Sequence, residues 1–331
     1  MKTRKEIWQR IKGVSVRSFH FLVNVYTFVI PILALCIWLF PEVYFFAMIR
    51  SLTPHFAISA LVVLVLHLFR NKTLLFLSSY AALMLFIPTF LGLMYPDAIV
   101  EAKPNHQNFS FVQFNVLKHN DHHATVINKV LESGADIVSL QEIDTVWHKD
   151  IREKISATYP YSLSYPSEVC CIGLCLYSKI PLQNAHVEFF GDLPNIVADI
   201  QIDGENIHVV SSHTQAPIYA WKFEGRNQHL KDLTSYLQKI QGAKMVLGDF
   251  NSVPWDKFLT DFKEGTKLND SRHSYAATFP SWLGKFGIPI DYIFYSKEIE
   301  CIGFTAIQSQ DSDHNGIKGV YQLKGNSIVK K

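Results

Sequence analysis

Cysteine is sparse in this chain and shows no pairing pattern. Among 331 residues only Cys36, Cys170, Cys171, Cys175 and Cys301 occur. None has the spacing of a zinc site, and adjacent Cys170 and Cys171 are badly placed to bridge each other. A bridge from Cys175 or Cys301 to either stays open, with small buried residues the simpler reading. Net charge is nearly absent as well: a formal +2 argues against a general nucleic-acid coat, though not against a local basic groove. Internal repeats and low-complexity tracts are also missing.

Charge is missing altogether from "FHFLVNVYTFVIPILALCIWLF" (19–40), a run long enough to span a bilayer. No small-residue cleavage site follows Phe40, and the run is too long for the core of a signal peptide. "FAISALVVLVLHLF" (56–69) is shorter, contains His67, and needs residues 51–55 to reach full width; "LLFLSSYAALMLFIPTFLGLMY" (74–95) is a third candidate. Three transmembrane helices over 19–95 are therefore expected. Arg50, Arg70 and Lys72 fall at segment ends, where they reach the interface. The basic stretch 1–18, with Lys2, Arg4, Lys5, Arg10, Lys12 and Arg17 against Glu6, should stay cytoplasmic. Three crossings then put the rest of the chain outside the cytoplasm, in a multi-pass protein of the inner membrane. Residues 96–107, polar with two prolines, read as a linker, and 108–331 as a globular domain long enough to bury a good core.

That domain reads as strand-rich. Strands are expected over 108–117, 136–143, 172–179, 196–202, 206–214, 289–296 and near 315–323, with another formed by the apolar residues 245–247. Helices are expected over 123–135, stopped by Gly134; over 226–242, where Leu230, Leu233, Leu237 and Ile240 make one stripe; and near 255–262. Two packed sheets with helices outside account for this order.

What the strands end on carries the chemistry. Asn115, Glu142, His213 and the pair Asp249 and Asn251 each stand where an apolar run stops. Asp291 sits inside an apolar strand, and Asp313 precedes His314 just before the last strand. Side chains two residues apart share a strand face, so Asp249 and Asn251 should point the same way. Each residue has a bland alternative: turn formers, solvated strand ends, loop charges, a structural histidine. Their repetition at one structural location is harder to dismiss, because hard-metal hydrolysis needs clustered carboxylates, amides and histidines. Arg226, at the start of the striped helix, is a candidate phosphate contact or simply a solvated helix residue.

In order, "FNVL", "LQEI", "SSHT", "VLGDFN", "IDYIF" and "SDHNG" resemble the motifs of the endonuclease/exonuclease/phosphatase superfamily, over about residues 108–325. The resemblance implies an α+β fold, a four-layer αββα sandwich. It implies Glu142 as the main ligand of Mg²⁺ or Mn²⁺, with Asn115 helping to hold the metal or its water and Asp313 near it. Asp249 would orient or deprotonate the attacking water, and Asn251 would bond a phosphate oxygen. His314, oriented by Asp291, would stabilise charge at phosphorus or act as acid or base. His213 matches the second histidine of the deoxyribonuclease and sphingomyelinase branches. Leu117 stands where some nucleases carry an aspartate, which weakens a two-metal assignment. No tyrosine occupies the place of His213, which leans away from abasic-site nucleases.

The expectation is a membrane-anchored, metal-dependent phosphodiesterase, bound to the bilayer through residues 19–95 and acting on a lipid headgroup or a nucleic acid. An extracytoplasmic nuclease, a phosphomonoesterase and a non-catalytic binding module are the alternatives. Lysine and arginine do not cluster near the motifs as a nuclease would want, and no long apolar hairpin follows the anchor. No protein partner is indicated.

Overall fold

The computed structural model describes residues 4–69, 73–94, 100–104, 106–169, 171–309 and 311–324. Lys2, Arg70, Lys72, Cys170, and residues 96–99 and 105 of the expected linker lie outside them. The chain divides into two compact units, Met1–Met94 and Tyr95–Lys331.

The first unit is helical: α1 (Arg4–Leu39), α2 (Tyr44–Arg50), α3 (Thr53–Leu68) and α4 (Thr73–Met94). Ala34, Ala57, Ala60 and Ala82 pack with Ile30, Ile37 and Phe86 in one buried cluster. Thr27 Oγ1 and His67 Nε2 hydrogen-bond at 2.9 Å, and Ser78 Oγ donates to the Thr27 carbonyl at 2.7 Å.

The expectation of three spans is corrected. Among the described residues one helix, the 24-residue stretch Val16–Leu39 of α1, is long and apolar enough to cross a membrane. The second candidate is broken. Here α2 and α3 meet at 66°, and the 16 residues of α3 reach only about 24 Å at 1.5 Å per residue, short of a hydrocarbon core of about 30 Å. The pair counts as a second span only if taken as one bent element. The apolar stretch Thr73–Ile87 of α4 is shorter still.

The second unit holds two six-stranded sheets. β1 (Phe109–Asn115), β2 (Ile137–Gln141), β3 (Tyr161–Tyr165), β4 (Leu174–Ser178), β11 (Ile299–Ile307) and β12 (Gly316–Leu323) form the first, in the order β11-β12-β1-β2-β4-β3. β5 (Gln183–Phe190), β6 (Leu193–Ile202), β7 (Glu205–His213), β8 (Ala243–Asp249), β9 (Asn269–Asp270) and β10 (Asp291–Tyr295) form the second, ordered β5-β6-β7-β8-β10-β9. Both sheets are mixed. The parallel pair β1–β2 is joined by α5 (His123–Ser133), and the parallel pair β7–β8 by α7 (Ala220–Leu237). Such crossovers put helices on the outer faces. With α6 (Thr145–Ile155) and α8 (Lys257–Thr266) they complete four layers.

Strand alternation sorts the core into three. Phe109, Phe111, Ile137, Val209, Met245, Leu247 and Ile293 face inward and fill the space between the sheets. Val112, Phe114, Val138 and Leu140 face the other way, against Val126 and Ile127 of α5 and Trp147 and Ile151 of α6. Val210, Val246 and Phe294 pack on Leu230 and Leu233 of α7 and on Leu259 and Phe262 of α8. Local chemistry sets the helix ends. Gly134, at φ 63°, stops α5 in the left-handed conformation, while Asp144 and Asp256 cap α6 and α8 by accepting the Trp147 and Phe258 amides at 2.8 Å.

Some boundaries differ from expectation. The helix expected over 226–242 begins at Ala220 and ends at Leu237, so Ile240 lies past it. β3, β5, β9, β11 and α6 were not anticipated. β5 is mostly exposed, so its sequence lacks the apolar alternation of its neighbours. Cys36, Cys175 and Cys301 are free, the last two buried.

Candidate active site

The alternation that builds the inner core also builds the site. Along β1 the inward positions read Phe109, Phe111, Gln113, Asn115; along β2, Ile137, Ser139, Gln141; along β7, Val209, Ser211, His213; along β8, Met245, Leu247, Asp249. Each inward row turns from apolar to polar toward the strand's carboxyl end. Register brings the ends together: Asn115 opposes Gln141, His213 opposes Asp249, and Asp249 opposes Asp291. Asp291 was expected inside a strand. It is instead the first residue of β10, and because β10 runs antiparallel to β8, its beginning lies at the edge where the parallel strands finish.

Asp249 is the hub. His213 Nε2 lies 3.5 Å and His314 Nε2 3.7 Å from its Oδ2. Asn115 Nδ2 donates to the same oxygen at 3.2 Å and to Glu142 Oε1 at 3.0 Å. The Asn115 Oδ1 accepts from the Leu117 amide at 3.0 Å. Expected as a metal ligand, Asn115 is here a strut between two carboxylates. Glu142 follows β2 directly, and its Oε2 accepts the Lys118 amide at 3.1 Å.

Asn251 pairs with Asp249 through a turn and not through strand alternation. The strand stops at Asp249, so alternation does not aim Asn251. Its backbone turns left-handed, at φ 46°, and its own amide donates to Asp249 Oδ1 at 2.8 Å. The side chain then donates to the Thr214 carbonyl at 2.9 Å and lies 3.4 Å from His213 Nε2. Glu142 is also left-handed, at φ 66°. Two strained non-glycine residues in one site are the kind of outlier that functional constraint maintains. Just before Asp249, Gly248 has φ 147°, and a Cβ there would lie 1.7 Å from the Ser212 carbonyl oxygen. Only glycine lets β8 approach β7 so closely.

His314 is aimed from behind. Its Nδ1 bonds Asp291 Oδ2 at 2.9 Å. Asp291 Oδ1 accepts from Gln113 Nε2 at 2.9 Å. Gln113 also donates to Gln141 Oε1 at 2.5 Å, Gln141 donates to Ser139 Oγ at 2.7 Å, and Ser139 Oγ meets Ser211 Oγ at 2.6 Å. This fully buried thread crosses between the sheets twice. Sequence reasoning passed over Gln113, Ser139, Gln141 and Ser211. The signal was their position: each stands two residues before a strand end or at one, on the inward row.

Arg226 does not reach the site as a phosphate contact. It is 1 % exposed and its donors are taken: Asp256 Oδ2 at 3.1 Å, Asn227 Oδ1 at 2.8 Å and the Asn251 carbonyl at 3.0 Å. It braces the strained Asn251 from within.

Electrostatics follow from burial and proximity. Burial works against charge on His314, but Asp291, Asp249 and Asp313 outweigh it and push its pKa up to about 10. Burial opposes charge on His213 too, yet Asp249 and Glu142 raise it. Burial alone would raise the Asp249 carboxyl; the two histidines and the Asn251 amide hold it below the usual range. Burial raises Asp313, with Glu142 and Asp249 adding to the rise.

Those mutually repelling carboxylates fit a cation. Asp249, Asp291 and His314 place ligand atoms within 4.8 Å of one another, but both Asp291 oxygens already accept hydrogen bonds. The better fit is Glu142 with Asp313, whose Oδ1 is buried without a hydrogen-bond partner. Hard divalent cations take such oxygen donors.

The fold is shared with known proteins. The chain's fold is similar to the human Nocturnin catalytic domain with bound sulfate (TM-score 0.56, 18 % identity, 69 % of this chain and 97 % of that one). It is also similar to an endonuclease/exonuclease/phosphatase from Beutenbergia cavernae (TM-score 0.53, 15 %, 66 % and 72 %) and to a conserved protein of unknown function from Enterococcus faecalis (TM-score 0.56, 14 %, 65 % and 100 %). At these identities the likeness is one of fold. No curated protein matches by sequence. Enzymes of the endonuclease/exonuclease/phosphatase family are generally hydrolases of phosphoester bonds and typically use divalent metal ions. The endonuclease/exonuclease/phosphatase family profile matches residues 112–314, more than half of the chain, and the protein belongs to that family.

Proposed function

We propose that the protein is a membrane-anchored, divalent-metal-dependent phosphodiesterase. The observation that carries this reading is the Asp249 carboxylate, held between His213 and His314 beside Glu142 and Asp313. Glu142 and Asp313 would hold Mg²⁺ or Mn²⁺. Such an ion, when bound, neutralises the non-bridging phosphate oxygens and steadies the leaving oxygen. Asp249, kept ionised by its two histidines, accepts a proton from the attacking water and orients its lone pair toward phosphorus. His314, kept protonated by Asp291, turns Nε2 toward the charge that develops on the phosphoryl oxygens. Asn251, fixed by the hydrogen bond its backbone amide donates to Asp249 Oδ1 and by Arg226 at its carbonyl, presents the second hydrogen of Nδ2 to a phosphate oxygen. His213 shares the Asp249 charge from the other side.

For the anchor, Val16–Leu39 follows the basic N-terminal cluster, which favours a cytoplasmic N-terminus. One crossing then leaves the catalytic unit outside the cytoplasm, and a re-entrant α2–α3 pair preserves that side. Full-length protein given Mg²⁺, or EDTA, and presented with duplex DNA and phospholipid vesicles together tests the reading. Mg²⁺-dependent release of a phosphorylated headgroup, abolished in His314→Ala, is the expected result. Cleavage of DNA with intact lipid would make it a nuclease instead, and turnover of neither would leave a phosphomonoesterase or a binding module.

A further inference from the structure

Two short segments carry a concentration of exposed apolar side chains that a closed domain does not need. After His213 the chain runs through Ile218 (60 % exposed), Tyr219 and Trp221 (61 %); before His314 it runs through Trp282 (78 %), Leu283 and Phe286 (64 %). Large apolar side chains scattered singly over a surface are ordinary, but contiguous ones mark an interaction site. We propose that these six residues form a rim around the active site that docks on the surface of a lipid bilayer.

Both segments are tied to the catalytic residues. The Thr214 amide donates to the Asp249 carbonyl at 3.1 Å, and its own carbonyl receives Asn251 Nδ2; Ile218 comes four residues later. On the other side the Phe279 ring lies 4.9 Å from the His314 ring. The Ser281 amide donates to the Asp313 carbonyl at 2.7 Å, and Ser281 Oγ to the Ser312 carbonyl at 2.6 Å; Trp282 is next. Trp221 lies seven residues from Thr214 and Phe286 five from Ser281, reaches of at most about 25 Å and about 18 Å, so both clusters sit on segments anchored at the site. The second is held out firmly. Phe279 and Ile288 pair as an isolated β-bridge, pinching the base of a loop whose tip is the 3₁₀ turn Ser281–Phe286.

The chemistry of the rim selects a bilayer. Tryptophan and tyrosine are the side chains enriched at membrane–water interfaces. Tyr219 and Trp221 lie nearly parallel with centroids 6.3 Å apart, and Lys222 Nζ sits 5.5 Å from the Trp221 ring. Residues 214–223 and 280–287 contain Lys222 and Lys285 and no acid, Glu224 following in the next turn. Aromatic side chains interleaved with lysine are complementary to headgroups that carry negative charge. A nucleic-acid strand would call for a longer track of cations, and Arg226 is unavailable for one. The chain also carries the apolar helix Val16–Leu39, which brings a bilayer within its reach. The substrate thereby implied is a phosphoester displayed at a lipid surface. That last step rests on the hydrolytic reading; the docking surface does not.

The test uses full-length protein reconstituted into vesicles of phosphatidylcholine and phosphatidylglycerol, with a Trp221→Ser, Trp282→Ser double variant, both positions being exposed enough to spare the fold. Vesicle-phospholipid hydrolysis should fall at least tenfold in the variant while hydrolysis of soluble bis(p-nitrophenyl) phosphate stays unchanged. Brominated phosphatidylcholine should quench tryptophan emission more in the protein with both residues than in the variant, and should do so equally in a His314→Ala background, where turnover is lost. Equal quenching with and without Trp221 and Trp282 overturns the proposal even if the enzyme is active. Protection of these residues by oligothymidylate rather than by lipid also overturns it, making the rim a base-stacking platform. Failure to hydrolyse any ester, with quenching intact, sinks the hydrolase reading and leaves the surface standing.

Discussion

His314 points its Nε2 at Asp249, 3.7 Å away, because Asp291 holds its Nδ1 at 2.9 Å. The three residues come from the N-terminal end of one strand, the C-terminal end of another, and a loop. Asp291→Asn keeps the shape of the side chain but removes the carboxylate that aligns and charges the imidazole. Turnover should fall about 10²–10⁴-fold, the usual worth of a positioned proton-transfer group, with a circular dichroism spectrum like that of wild type. Turnover within threefold of wild type would contradict the role given to Asp291.

Gln113 is the one described side chain that donates both to Asp291 and to the Gln141–Ser139–Ser211 thread. In Gln113→Leu the Asp291 Oδ1 loses its donor in a dry interior, which costs about 1–3 kcal/mol. Denaturant unfolding should register that loss. The kcat should drop at least tenfold with KM for a soluble phosphodiester nearly unchanged, since the defect lies in aiming His314 and not in holding substrate. A change in KM alone would argue against it.

The sequence made much of this legible, for a definite reason. Asn115, Glu142, His213, Asp249 and Asp291 sit where apolar runs meet polar residues, and with inward alternation that transition is the mouth of the site. The four layers follow from the same alternation. What stayed hidden depends on pairing between distant strands. Gln113 and Ser139 look like interruptions of apolar strands until register sets them against Asp291 and Ser211. Arg226, which the sequence sets at the start of the leucine-striped helix but the structure places inside α7, gives no sign that Asp256 and the Asn251 carbonyl will enclose it. The bend between α2 and α3 escaped because residues 51–55 carry no Asp, Glu, Lys or Arg to forbid extending a span, whereas Pro54 in the first turn of α3 favours a new helix start.

Proton linkage follows from His314. Its pKa is 6.5 unfolded and about 10 folded. A raised pKa contributes stability that is fully present below pH 6.5 and lost as pH climbs through 10. In EDTA, therefore, wild-type protein should lose stability steadily from about pH 6.5 to 10, relative to His314→Gln. Parallel stability profiles for the two proteins across that range would refute a charged, carboxylate-held His314.

Two glycines should respond differently to the same change. Gly248→Ala would place a Cβ 1.7 Å from the Ser212 carbonyl oxygen at φ 147°, and neither strand can move without shifting Asp249. A loss on the order of 3–5 kcal/mol is expected, in the range reserved for a named steric defect. Gly134→Ala, at φ 63° with nothing within 4 Å of the new methyl group, should cost only about 1–2 kcal/mol, the penalty of the left-handed conformation. Thermal melts of the two variants, with similar losses in both, would show that the close approach of β7 and β8 is not the constraint described.

Hydrolysis of bis(p-nitrophenyl) phosphate by purified full-length protein addresses the site most directly. The assay compares Mg²⁺ with EDTA, and wild type with Glu142→Gln and Asp249→Ala variants that melt at similar temperatures. The geometry predicts metal-dependent turnover that falls at least a hundredfold in EDTA and in each variant. Turnover indifferent to EDTA, or unchanged in Asp249→Ala, would contradict a hydrolytic centre built on Asp249 between its two histidines.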